Sequence, residues 1–96
     1  MTVYETYLNV YLPVAEQYVT QNSDHLSDDL DFETVSSALA SILHARDGGY
    51  SNYSQFVAAI LDNDLRGTIQ FGDGTMIANI RLLMMGYLNI PAVVTE

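Results

Sequence analysis

The side chains that could do chemistry in this chain are two histidines, a run of aspartates and seven serines. His25 and His44 lie in different segments, and neither has a partner at the HxH or HxxxH spacing of a metal site. The four aspartates between residues 24 and 31 offer oxygen ligands, but their run lacks the glycine and the closing glutamate of a calcium loop. No serine occupies a nucleophile elbow. The sequence therefore predicts no catalytic residue, no metal site and no cofactor.

The charge balance is the most distinctive feature of the composition. Twelve Asp and Glu residues stand against three Arg and no Lys, which gives a net charge of -9. A chain with this charge repels nucleic acid and anionic membranes and attracts basic protein surfaces. Acidity that serves solubility alone is one alternative, and a halophilic origin, which would also account for the absence of lysine, is another.

Length and composition predict a single domain over residues 1–96, since 96 residues with 49% hydrophobic side chains suffice for one core. The absence of cysteine suits a reducing compartment, so we expect a cytoplasmic protein. The uncharged stretch 82–95 contains Gly86 and Pro91 and is shorter than the roughly 20 apolar residues of a membrane span. The N-terminal residues lack the basic region of a signal peptide.

Apolar residues at helical spacing predict four helices, the first three of which have clear limits. The first covers residues 3–21 and carries a tyrosine stripe, and Pro13 is expected to kink it or restart it. The second runs over residues 32–46 with Asp31 as its N-cap, and the third runs over residues 52–61. The predicted inward positions are Phe32, Val35, Leu39, Ile42 and Leu43 in the second helix and Tyr53, Phe56, Val57, Ile60 and Leu61 in the third.

Residues 68–76 are harder to assign. Thr68–Phe71 is typical of an extended segment, and the Gly-Asp-Gly turn that follows would suit a hairpin. A final helix from Thr75 to Leu88 is preferred over a second strand because its apolar residues fall at helical spacing. The sequence therefore predicts a mainly α, compact four-helix domain with a short extended or hairpin segment near 68–76.

The final helix is apolar nearly all round, which places it either at the centre of the core or in a subunit interface. Because a core of this size cannot cover every side of such a helix, we expect a homodimer. The predicted dimer interface contains Leu82, Leu83, Met84, Met85 and Tyr87.

Carboxylates are concentrated where the second helix begins. The positive end of a helix dipole accounts for one or two of them, and we interpret the others as a surface that binds a basic partner. The candidate partner-binding residues are Asp24, Asp28, Asp29, Asp31, Glu33, Asp47, Asp62 and Asp64.

The order of these features resembles the Ocr family of phage antirestriction proteins, which are small acidic mimics of duplex DNA. The resemblance covers about residues 4–88 and is one of pattern rather than identity. Its motifs are the tyrosine-rich first helix, the acidic residues 28–31, His44-Ala45-Arg46-Asp47 with Tyr50 and Tyr53, the segment ending at Phe71, the Gly-Asp-Gly turn and Ile77–Leu88.

The resemblance implies an all-helical homodimer in the cytoplasm of a host cell. Its carboxylates would imitate DNA phosphates and block the DNA-binding groove of a host defence enzyme of restriction or CRISPR type. The alternative, from a different functional class, is an acidic interaction module such as an immunity protein or a phage assembly chaperone. Neither interpretation involves direct contact with nucleic acid or with a membrane.

Overall fold

The computed structural model describes residues 2–22, 32–48, 53–72, 74, 77 and 79–92. Within these residues the chain is mainly helical, as predicted, but it has five helices instead of the predicted four, and no strand. The domain measures 36 × 27 × 20 Å. None of the described helices has the length and hydropathy that crossing a membrane requires. Helix α1 comprises Val3–Thr6, Tyr7–Tyr11 and Leu12–Gln21, α2 is Phe32–Arg46, α3 is Gln55–Leu61, α4 is Leu65–Phe71 and α5 is Ile80–Asn89.

Helix α1 begins with a capping box and changes its hydrogen-bond pattern before Pro13. The Thr2 side chain accepts a hydrogen bond from the Glu5 amide, and the Glu5 carboxylate accepts one from the Thr2 amide. Residues Tyr7–Tyr11 form a π-helical turn, in which the Leu12 amide donates to the Tyr7 carbonyl. Because proline has no amide hydrogen, the ladder cannot continue unchanged, and a regular α-helix restarts at Leu12, as predicted.

Helix α2 is the central helix of the core, and its bounds are those the sequence predicts. It packs against α1, α3 and α5. The prediction that Phe32 belongs to the core is wrong, because 36% of this residue is exposed in the first turn of the helix. The predicted cap Asp31 lies outside the described residues. The buried residues of α2 are Val35, Ser36, Leu39, Ala40, Ile42, Leu43, His44 and Ala45.

Helix α3 is confirmed as a helix with Phe56, Val57 and Ile60 buried. Its N-cap is Ser54, whose hydroxyl accepts a hydrogen bond from the Val57 amide at 3.2 Å. The helix begins at Gln55, later than the predicted start near residue 52, because Tyr53 and Ser54 are not helical. Helix α3 ends at Leu61, as predicted, and Asp62 is its C-cap.

The prediction of an extended segment at residues 68–71 is wrong, because these residues belong to helix α4. Asn63, with φ of 55°, reverses the chain after α3, and Asp64 then caps α4 by accepting from the Gly67 amide at 3.0 Å. A Cβ atom at Gly67 would collide with the Asp64 carboxylate, so a larger residue there would displace the side chain that caps α4. The Thr68 hydroxyl donates to the Asp64 carbonyl at 2.7 Å, the bond that a threonine hydroxyl makes to the preceding turn of a helix.

The predicted helix from Thr75 to Leu88 is interrupted at Asn79, which has a non-helical conformation, so α5 begins at Ile80. Ile77, before this interruption, is also helical. Leu82 and Leu83 have no exposed surface within the single chain. Their assignment to a dimer interface is therefore corrected to the core. Met84, Met85 and Tyr87 are half-buried.

Arg46, the last residue of α2, forms hydrogen bonds with the end of α5 and the residues after it. Its guanidinium donates to the carbonyls of Tyr87 at 2.6 Å, Ile90 at 2.8 Å and Pro91 at 3.2 Å. The same group lies 5.9 Å from the centre of the Tyr87 ring, within the range of a cation–π contact. Because this contact joins residues far apart in the sequence, it holds the C-terminal part of the described chain in place.

Candidate partner-binding surface

A cleft between α1 and α2 brings two carboxylates together. Its volume is about 270 Å³, and Glu16 from α1 and Glu33 from α2 both line it. Glu33 is exposed in the first turn of α2. Leu12, Ser36 and Ser37 complete the lining. The crossing of α1 over α2 therefore creates a cleft with one acidic residue on each side.

A second cleft, of about 430 Å³, adjoins the first along the outer side of α2. Glu33 and Ser37 line both clefts, so the two share one wall. Helix α3 supplies the opposite wall through Phe56 and Val57. The remaining lining residues are Thr34, Ala38, Ser41 and Ser54. We call the two clefts together the α2 groove.

The predicted partner-binding carboxylates lie in different parts of the structure. Asp24, Asp28, Asp29 and Asp31 lie outside the described residues. Glu33 lies at the rim of the α2 groove, and Asp62 is exposed at the end of α3. Asp62 does not line the α2 groove.

The carboxylates of Asp47 and Asp64 make hydrogen bonds within the chain. The Asp47 side chain is only 7% exposed, accepts a hydrogen bond from the Tyr11 hydroxyl at 3.0 Å and pairs with Arg46 Nε at 2.9 Å. Asp64 is the N-cap of α4. Because both carboxylates are engaged within the chain, they contribute less to a partner-binding surface than the sequence suggests.

Tyr11, His44 and Asp47 form a buried polar cluster beside the Arg46 contact. The rings of Tyr11 and His44 stack with centroids 4.5 Å apart. Burial, with the Asp47 carboxylate adding to it, raises the pKa of Tyr11 to about 12. Burial also lowers the pKa of His44, which the Asp47 charge partly opposes. Both side chains are therefore neutral at pH 7, and the raised tyrosine pKa is the opposite of what an activated nucleophile needs.

Of the residues that line the α2 groove, the sequence predicted only Glu33 as a partner-binding residue. Glu16 belongs to the first helix, whose tyrosine stripe is its only distinctive pattern. No spacing in one sequence shows that Glu16 and Glu33 meet, because their proximity depends on how α1 crosses α2. Among the described residues, no group of three or more His, Asp or Glu side chains could hold a metal ion.

Compared with protein-family models, with curated proteins and with solved structures, the chain has no significant match.

Proposed function

We propose that this chain inhibits a DNA-binding host defence enzyme, of restriction or CRISPR type, by occupying the basic groove that normally holds DNA. The observation that supports this function best is the position of Glu33. It is exposed on the α2 groove beside Glu16, and in the sequence it closely follows Asp28, Asp29 and Asp31. A net charge of -9 without lysine attracts a groove rich in Arg and Lys.

The charge density limits how much of such a groove one chain can fill. Duplex DNA carries one charge per about 1.7 Å of axis, so a length of 36 Å carries about 21 charges. The chain has 12 carboxylates, and two of these, Asp47 and Asp64, are engaged within the fold. One chain therefore replaces part of a duplex, and a dimer would replace more.

The test is displacement of a fluorescent DNA duplex from a host restriction enzyme or RNA-guided nuclease. The informative variant combines Asp28→Asn, Asp29→Asn and Glu33→Gln, and we call it the patch variant. At about 0.5 kcal/mol for each exposed charge pair, we expect it to displace DNA roughly tenfold less well than the natural chain.

A charge-matched control separates position from net charge. The variant with Glu5→Gln, Asp73→Asn and Glu96→Gln also has a net charge of -6, since three negative charges are removed from -9. We expect it to displace DNA nearly as well as the natural chain. Equal loss in both triple variants would mean that only overall charge matters, and failure of the natural chain to displace DNA would refute the proposed function.

The alternative function is an acidic interaction module that binds one basic protein without competing with DNA. The hydroxyl-rich lining of the α2 groove favours it, because such a lining suits individual side chains better than an evenly charged surface does. In the displacement experiment this alternative predicts binding to a basic protein while the DNA stays bound.

We also propose a homodimer. Its interface is the exposed apolar surface of helices α4 and α5, and not the buried Leu82 and Leu83. The large apolar side chains exposed on these helices are Leu65, Ile69, Phe71 and Leu88. Leu65 lines a small apolar cleft together with Met84 of α5, so the two helices share one face. Neither helix contains Asp or Glu, and they carry the exposed Arg66 and Arg81. Asp64 also lines this cleft, where its carboxylate caps α4, so a second copy that packs here brings few carboxylates together, which suits a chain of this net charge.

The dimer is tested by sedimentation of Ile69→Glu at tens of micromolar. Ile69 is 58% exposed, so the charge should prevent dimerisation and leave the fold intact. The control is Gln70→Glu, which adds the same charge at the neighbouring exposed position and should remain a dimer. A monomeric natural chain, or a dimeric Ile69→Glu variant, would contradict this assignment.

A further inference from the structure

The proposed dimer face has a recess and a protrusion next to each other. The recess is the small cleft of about 100 Å³ that residues of α3, α4 and α5 line together. The protrusion is Leu65, the first residue of α4, which lines this cleft but is 73% exposed. Leu65 therefore lies at the rim of the cleft and does not fill it.

The size and the lining of the cleft suit one aliphatic side chain. An engineered apolar cavity of about 150 Å³ takes up a benzene molecule, so this smaller cleft has room for an aliphatic group. Besides Leu65, its apolar lining residues are Ala59, Ile60, Ile80 and Met84. The Thr68 hydroxyl and the Asp64 carboxylate in the same lining already form hydrogen bonds within α4. An occupant therefore does not have to supply hydrogen bonds to these two groups.

The symmetry of a dimer relates the recess to the protrusion. In a dimer with two-fold symmetry the same surface patch meets itself, so a protruding side chain needs its recess on that patch. Leu65 and the cleft meet this requirement because they adjoin each other. A two-fold axis beside the rim places each Leu65 over the cleft of the other copy.

Charge complementarity also favours a second copy as the occupant. Arg66 follows Leu65 in α4 and is exposed, and Asp64, which lines the cleft, is exposed too. When Leu65 of one copy enters the cleft of the other, Arg66 comes close to Asp64 of that other copy. The pair Leu65-Arg66 thus matches an apolar cleft that has a carboxylate at its edge.

We propose that the dimer forms by reciprocal insertion of Leu65, whose side chain in each copy fills the cleft of the other. Arg66 of each copy then lies beside Asp64 of the other. This inference rests on the proposed homodimer and is independent of the proposed inhibition of a DNA-binding enzyme. The cleft shares no lining residue with the α2 groove, so the insertion leaves the residues of that groove unused.

The direct test is an isotope-filtered NOE experiment on a dimer assembled from equal amounts of unlabelled chain and chain with ¹³C-methyl methionine. The filter selects NOEs between the two copies. We expect an NOE from the Met84 methyl group of one copy to Leu65 of the other, because Met84 lines the cleft. Met85 is half-buried in α5 but does not line the cleft, so it is the internal control and should show no such NOE.

Leu65→Ala tests the inserted side chain. The dimer dissociation constant should rise about tenfold or more, because two leucine side chains then leave two clefts empty. The fold should survive, since Leu65 is largely exposed in the single chain. The matched control is Leu88→Ala, because Leu88 is 72% exposed on α5 and does not line the cleft. It should raise the dissociation constant by about threefold at most.

The outcomes separate the insertion from the dimer itself. A dimer without the NOE from Met84 to Leu65, or one that Leu88→Ala weakens as much as Leu65→Ala does, would overturn the insertion and retain the homodimer. A natural chain that sediments as a monomer would refute both. Failure to displace DNA from any nuclease would instead refute the proposed inhibition and leave the arrangement of the dimer in place.

Discussion

Replacing Arg46 with alanine is expected to lower the free energy of unfolding by about 3–5 kcal/mol, the usual cost of removing one partner of a buried ion pair. Asp47, with its side chain 7% exposed, would lose its charged partner at 2.9 Å. The carbonyls of Tyr87, Ile90 and Pro91 would lose their shared donor at the same time. A loss of this size is a large fraction of the stability of a small domain.

Urea unfolding followed by circular dichroism measures this loss. The control is Arg81→Ala, which removes an exposed arginine from α5 and should change the free energy of unfolding by less than about 0.5 kcal/mol. Equal stability of the two variants would show that the Arg46 contacts do not hold the C-terminal part of the described chain.

The second large effect is expected where α2 meets α5. Leu39 has no exposed surface, and Leu39→Ala should cost about 2–5 kcal/mol through the cavity that it leaves. A Cβ atom at Gly86 would lie 2.7 Å from Leu39 Cδ1 and 2.9 Å from Cδ2. Gly86→Ala should therefore cost about 1–3 kcal/mol through overpacking, offset by about 1 kcal/mol of helix propensity.

The double variant Leu39→Ala/Gly86→Ala should be more stable than the sum of the two losses predicts, by about 1 kcal/mol, because the new methyl group occupies space that Leu39 vacates. Leu43→Ala/Gly86→Ala is the matched control, since Leu43 is equally buried but the three nearest atoms to the added Cβ all belong to Leu39. Its two losses should add to within about 0.5 kcal/mol. Simple additivity in the Leu39 pair would contradict the packing of α5 on α2.

The long helices could be predicted from the sequence because their periodicity is sustained. Helix α2 has the predicted bounds, since its apolar positions repeat over 15 residues and Gly48, with φ of 79°, follows its end. Helix α4 could not be predicted in this way. Its residues 68–71 are typical of a strand, and the helix depends on the Asp64 cap and on the buried Gly67.

The candidate surface was predictable only in part. Glu33 belongs to an acidic cluster that is visible in the sequence, whereas Glu16 joins it only because α1 crosses α2. Asp47 was predicted to be a surface carboxylate. Nothing in the sequence spacing showed that the Tyr11 hydroxyl, in helix α1, donates a hydrogen bond to it. Similarly, Leu82 and Leu83 are apolar residues whose assignment to core or interface depends on the packing around them.

The most direct test of the proposed function is the salt dependence of binding to the nuclease that the chain displaces from DNA. Exposed charges are screened over about 8–10 Å at moderate ionic strength, so binding through carboxylates should weaken steeply as salt rises. The patch variant should bind more weakly at low salt and show a shallower slope of affinity against salt concentration. Equal affinity of the patch variant and the natural chain, with no change between low and high salt, would show that the carboxylates serve solubility and do not bind the enzyme.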